Sequence, residues 1–103
     1  MGVVSATTLM VRPGRFEDFL PDARKGKALL EKYGARNVRL MTAVVAGEAT
    51  GSVILTYEVD DLTGFGAVFD KSLADPEVVE LMTITDASWI SGSQTTVWVD
   101  IPL

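Results

Sequence analysis

The chain has 103 residues, 48% hydrophobic and 22% charged, enough for one domain around a single core and far from the polar composition of disorder. It contains no cysteine and no histidine, which removes disulfides, thiolate metal sites, thiol nucleophiles, the commonest metal ligand and the usual partner of a catalytic serine. A net charge of −5 argues against a nucleic-acid partner, and no apolar run nears the ~20 residues of a membrane span. Met1-Gly2-Val3-Val4-Ser5 lacks the basic n-region of a signal peptide, and the expected location is the cytoplasm.

Val3 to Val11 is rich in β-branched residues and stops at Arg12-Pro13-Gly14, which predicts a first strand. From Arg15 to Tyr33 the apolar residues Phe16, Phe19, Leu20, Ala23, Leu29, Leu30 and Tyr33 recur at threes and fours, which predicts an amphipathic helix closed by Gly34. Pro21 removes a backbone donor and predicts a kink or a short first turn. Gly26, costly in a helix by ~1 kcal/mol, predicts close approach of a strand or another backbone.

Arg36–Ala46 and Ser52–Val59 form two strand-like runs joined through Gly47–Gly51, the pattern of a β-hairpin. In the first run Val38, Leu40, Thr42 and Val44 share one face while Met41, Ala43 and Val45 share the other. A strand apolar on both faces must be covered twice, and two helices cover only one face of a small sheet. A second copy of the chain is the expected second cover. Asp60-Asp61 then offers N-cap oxygens to a helix carrying Leu62, Phe65, Val68, Phe69 and Leu73, and Asp75-Pro76-Glu77 restarts it. Asp86 to Leu103 is the predicted last strand region, with Ser91-Gly92-Ser93 as a bend or bulge.

Strand, helix, hairpin, helix and strand in this order give an α+β, ferredoxin-like βαββαβ domain over residues 1–103, with a four-stranded antiparallel sheet. Three features, spread over roughly residues 3–100, carry a resemblance: Phe16 on a helix ending in Lys32-Tyr33-Gly34-Ala35, the Gly51–Tyr57 strand leading into Asp60-Asp61, and the Asp75-Pro76-Glu77 restart. The chain resembles the dimeric α-β barrel superfamily, in particular its NIPSNAP-like and antibiotic-biosynthesis-monooxygenase-like members. That resemblance implies two sheets packed face to face in a homodimer, with a small-molecule cleft between sheet and helices in each protomer. The superfamily includes cofactor-independent monooxygenases, haem-degrading enzymes, lactone isomerases and proteins without established activity. The haem-degrading branch relies on a histidine that this chain lacks.

The charges are uneven: residues 1–46 hold eight of the nine Lys/Arg and four acids, for +4, leaving −9 to residues 47–103. Two readings stay open. Two neighbouring helices of opposite sign attract one another, or Arg12, Arg15, Arg36 or Arg39 forms an anion site. Arg39 is the favoured ligand-binding candidate, because a guanidinium on an apolar strand needs either an acid such as Glu58 or an anionic ligand.

Glu58 is the one carboxylate embedded in an apolar run, and Tyr57, Trp89 and Trp98 are the aromatic candidates. On alternating strand positions Tyr57 and Trp98 fit core or interface, whereas Trp89, beside Asp86 and Ser88, fits a pocket wall. Tyr33, Asn37 and Gln94 add polar groups of the kind that surround a bound phenol in the cofactor-independent monooxygenases. No metal site and no cofactor is expected. Ser91-Gly92-Ser93 and Gly64-Phe65-Gly66 lack the context of a hydrolase elbow or a nucleotide loop. The expected function is a small-molecule-binding homodimer, read either as a cofactor-independent monooxygenase or isomerase of an aromatic or lactone-like metabolite, or as a non-catalytic interaction or structural protein.

Overall fold

Segments with β-branched alternation become strands and those with helical spacing become helices. The computed structural model describes residues 2–45, 47–49 and 51–103. Strand β1 is Val3–Val11, with the predicted bounds, and helix α1 is Phe16–Lys32. Strands β2 (Arg36–Thr42) and β3 (Val53–Val59) follow, then helices α2 (Leu62–Ala74) and α3 (Pro76–Ser88) and strand β4 (Ile90–Val99). All three strand pairings are antiparallel, in the order β2-β3-β1-β4. This is the expected α+β, ferredoxin-like layout.

Register decides which face each side chain takes. Val3 lies opposite Val59 and Val99, and Ser5 opposite Tyr57 and Val97, so these residues share the helix-covered face. On that face Val3, Tyr57 and Val59 pack with Val38, Ala35 and Val68 of α2. A second cluster joins Phe19 of α1 to Val53 and Ile90, with Leu9, Leu40 and Trp89 around them. The opposite face presents Val4, opposite Glu58 and Trp98, Ala6, opposite Thr56, Thr8, opposite Ile54, and Met10, opposite Gly92. No helix crosses it, and Trp98 is 62% exposed there.

Caps fix the helix ends. Asp61 accepts from the Gly64 N–H at 2.7 Å to start α2, and Asp75 accepts from the Glu77 N–H at 2.9 Å to start α3, with Pro76 at the first position as the sequence predicts. At the end of α1, Gly34 has φ +105°, and the Gly34 and Ala35 N–H groups donate to Glu31 and Leu30 carbonyls. Between Met10 and Val11 the register with β4 slips, because Gly92 faces Met10 and Ile90 faces Val11. Ser91 is the extra residue of the anticipated bulge, and its hydroxyl donates to the Met10 carbonyl.

Four expectations are corrected. Helix α1 is continuous from Phe16 with no separate first turn before Pro21, because the proline sits one turn inside the N-terminus and deletes only the bond to Glu17, an exposed residue. Gly26 marks no close backbone: a Cβ there would meet only Leu81 Cδ2, at 4.0 Å. Helix α3 extends to Ser88, so Asp86 to Ser88, read as the start of the last strand, are helical. Strand β2 ends at Thr42, leaving Val44 78% and Val45 93% exposed in the connection to β3, while Ala46, the predicted end of the run, lies outside the described residues. The doubly apolar character therefore belongs to the sheet, through Met41, Ile54 and Met10, and not to a long β2.

Candidate functional site

Strand β2 is an edge, and α1 crosses the sheet beside it. Between them lies an open cleft of ≈ 370 Å³, within the range of small-molecule sites. Its floor is Val38, Leu40, Val53 and Leu55 from the sheet, and its wall is Phe16, Leu20 and Ala23 from α1. Val38 and Leu55 belong to one core cluster and Ala23, Leu40 and Val53 to the other, so the cleft opens where the two cores meet.

The polar residues are at the rim. Arg24 and Lys27 approach from α1 and Arg39 from β2, and among the described residues no Asp or Glu lines the space. Arg39 and Met41 are in register with Thr56 and Ile54 of the uncovered face, so the cleft reaches around the free edge of β2. A second cleft of ≈ 300 Å³, formed by Val11, Arg12, Pro13 and Gly14, adjoins it through the shared residues Phe16, Thr42 and Val53.

Arg39 is exposed rather than buried, and its strand neighbour is Thr56. Glu58 lies opposite Arg36 and accepts a 2.7 Å hydrogen bond from Asn37 Nδ2, because Asn37, at φ +49°, occupies the irregularity that shifts the β2 register. The expected Arg39–Glu58 pairing is thus replaced by Asn37–Glu58. Arg36 pairs instead with Asp60 at 2.7 Å, and Arg15 with Asp18 at 3.3 Å. Among the described residues no ion pair joins α1 to α2 or α3, so the expected attraction between helices of opposite sign has no salt bridge behind it, and Arg36–Asp60 is the ion pair that links the basic half to the acidic half.

The aromatic candidates do not converge. Tyr57 is buried in the helix-side core, where burial raises its phenol above the ordinary 10.0, partly offset by its hydrogen bond with Ser5. Trp98 is on the uncovered face, in register with Val4, which lies opposite Glu58 on its other side. Trp89 caps α3, and its Nε1 donates to Asp22 Oδ2 at 2.9 Å, beside Thr85, whose hydroxyl donates to the same oxygen at 3.0 Å. The Arg15 guanidinium stands 6.0 Å from the Trp89 ring centre. Trp89 thus fastens α1 to the end of α3 and does not line either cleft.

Tyr33 also serves a junction, donating from its hydroxyl to the Asp75 carboxylate at the α2–α3 turn. That bond raises the Tyr33 phenol and lowers the Asp75 carboxyl from their ordinary values. Gln94 lies opposite Thr8 on the uncovered face. Among the described residues no three carboxylates come together as a metal site would require, and no helix is long and apolar enough to cross a membrane.

No protein-family model matches the chain, and no curated protein matches it. Solved structures do. A NIPSNAP domain protein from Burkholderia xenovorans superposes with a TM-score of 0.79 at 20% identity, over 96% of this chain and 94% of that one. A NIPSNAP family protein from Agrobacterium tumefaciens gives 0.80 at 14% identity, over 97% and 86%. The fold is that of the NIPSNAP proteins. It is also that of SnoaB, a cofactor-independent oxygenase from Streptomyces nogalater, with a TM-score of 0.72 at 16% identity over 99% of this chain and 95% of that one. At these identities the likeness is one of architecture alone.

Arg24 and Lys27 escaped the sequence reading because charges on the polar stripe of an amphipathic helix read as a solvated surface. Their signal was position: at i+4 from Leu20 and Ala23, they border the apolar stripe that faces the sheet.

Proposed function

We propose that residues 1–103 form one domain of a cytoplasmic homodimer that binds a small molecule in the cleft between α1 and β2, with no nucleic-acid or membrane partner. The observation that carries this reading is the cleft itself: ≈ 370 Å³, apolar on floor and wall, and edged by Arg24, Lys27 and Arg39. The homodimer is supported by the uncovered sheet face, where Met10 and Trp98 are about half exposed or more, since an apolar patch of this kind marks a contact surface. The resemblance to dimeric α-β barrels supports the same arrangement.

The fold shared with a cofactor-independent oxygenase favours a catalytic form of this reading. A rim guanidinium such as Arg39 would stabilise a substrate phenolate, and the electron-rich carbanion form of that substrate would itself reduce oxygen. An isomerase of a lactone-like metabolite would use the same cationic rim on an enolate. The alternative is a non-catalytic homodimer, favoured by the cleft's having, among the described residues, no acid, no phenol and no hydroxyl other than that of Thr42.

A native mass spectrum of gently purified protein tests the proposal. The expected species is twice the chain mass with an additional small-molecule mass, absent from a Leu20→Trp variant whose indole fills the cleft. A monomer would overturn the dimer. An adduct retained by the variant would overturn the cleft.

A further inference from the structure

The cleft between α1 and β2 concentrates positive charge in a chain whose net charge is −5. Three cations beside apolar surface repel one another, and acids of α1, of β3 and of the turn after it are engaged with other partners. Asp18 pairs with Arg15, Asp60 with Arg36, and Glu58 with the Asn37 amide. Glu31 alone competes, at 3.7 Å from the Lys27 ammonium in an exposed pair of the kind worth little. Among the described residues Arg24 and Arg39 have no ion pair.

Resting on the reading of this cleft as a ligand site, we infer that it selects amphipathic monocarboxylates. The apolar body lies against Leu20, Leu40 and Leu55 and the carboxylate sits among Arg24, Lys27 and Arg39. Guanidinium forks match the two carboxylate oxygens in shape, and the ligand charge relieves the repulsion within the rim. At the ~30 Å³ that a water fills in the liquid, the space holds about a dozen heavy atoms, the size of decanoate. The adjoining ≈ 300 Å³ cleft extends the room past Phe16 toward Arg12 for longer bodies. A neutral alcohol of equal length would gain only the apolar contacts. The matching ammonium would meet three like charges.

Isothermal titration with decanoate and decyltrimethylammonium below their critical micelle concentrations, and with decanol below its solubility limit, tests this against the wild-type protein and an Arg24→Gln/Arg39→Gln variant. The expected order is decanoate first, by roughly tenfold over decanol at low salt, with the ammonium weakest. In the double variant decanoate falls to within about twofold of decanol, while decanol is unchanged. Equal binding of all three ligands in the cleft would overturn the charge selection and leave the ligand site standing. Binding of none would overturn the ligand site and the selection with it. Intermolecular NOEs from decanoate methylenes to the Leu20 and Leu40 methyls of the wild-type protein locate the ligand without any variant. NOEs to Met10 and Ile54 instead would overturn the inference.

Discussion

Removing the Trp89–Asp22 contact gives a direct measure of how α1 is fastened to α3. Trp89 Nε1 and the Thr85 hydroxyl both donate to Asp22 Oδ2, at 2.9 and 3.0 Å, and all three residues are half-buried. A hydrogen bond to a charged group is worth about 1.5–3 kcal/mol, and partial exposure puts each of these at the low end. Trp89→Phe keeps most of the ring and loses one bond, for ~1.5 kcal/mol. Asp22→Ala strands both donors, for ~3 kcal/mol. Because the two changes remove the same bond, the double variant should lose ~1 kcal/mol less than the sum. At roughly 4–8 °C per kcal/mol for a domain near this size, Trp89→Phe lowers Tm by about 6–12 °C. Urea and thermal melts at one fixed protein concentration give the four corners of the cycle. Single effects that simply add, within ~0.3 kcal/mol, would refute the linkage and return Trp89 to the role of an unattached aromatic.

Three further outcomes follow from the geometry. Gly26→Ala should stabilise by ~0.5–1 kcal/mol, because the new methyl meets only Leu81 Cδ2 at an ordinary 4.0 Å in a helix interior, and a lowered urea midpoint would mean α1 and α3 pack closer than described. Trp98→Glu on the uncovered face should weaken the dimer by about 2 kcal/mol or more, seen by sedimentation as monomer, and an unchanged association constant would move the interface elsewhere. Burial raises the Tyr57 phenol, so the stability it contributes is complete below the unfolded value of about 10 and is lost as pH rises through the higher folded value. Urea midpoints from about pH 8 to about pH 11 should fall less steeply in Tyr57→Phe, and identical slopes would place the alkaline loss in other groups.

Much of the fold was legible because local signals were strong and agreed. Pro13-Gly14 ends β1, and Asp75-Pro76 starts α3, each by backbone chemistry that needs no distant partner. Errors arose where a long-range contact decides. Asp86 to Ser88 carries no strong local preference, and it stays helical while Thr85 and Trp89 hold Asp22 of another helix. Val44 and Val45 are β-branched and still leave the strand, because the β2–β3 connection begins there and Ala43 makes the last pairing, with Ser52.

The site was legible in part. Arg39 was visible as a cation on an apolar strand, and it does line the cleft. Tyr57 separates from it because alternation sends that ring to the helix side, Glu58 because the irregular β2 register sets it opposite Arg36 rather than Arg39, Trp98 because it stands on β4 at the far edge of the sheet, and Trp89 because it leaves the sheet. Arg24 and Lys27 meet Arg39 only through the docking of α1 across β2, which no local pattern records.

A ¹⁵N–¹H correlation spectrum of the wild-type protein titrated with decanoate tests the central claim most directly. The account predicts saturable amide shifts concentrated on residues 16–27 of α1 and 38–42 of β2, around Arg24, Lys27 and Arg39. Shifts centred on Val4, Thr56 and Thr96 of the uncovered face, or none at all, would contradict it.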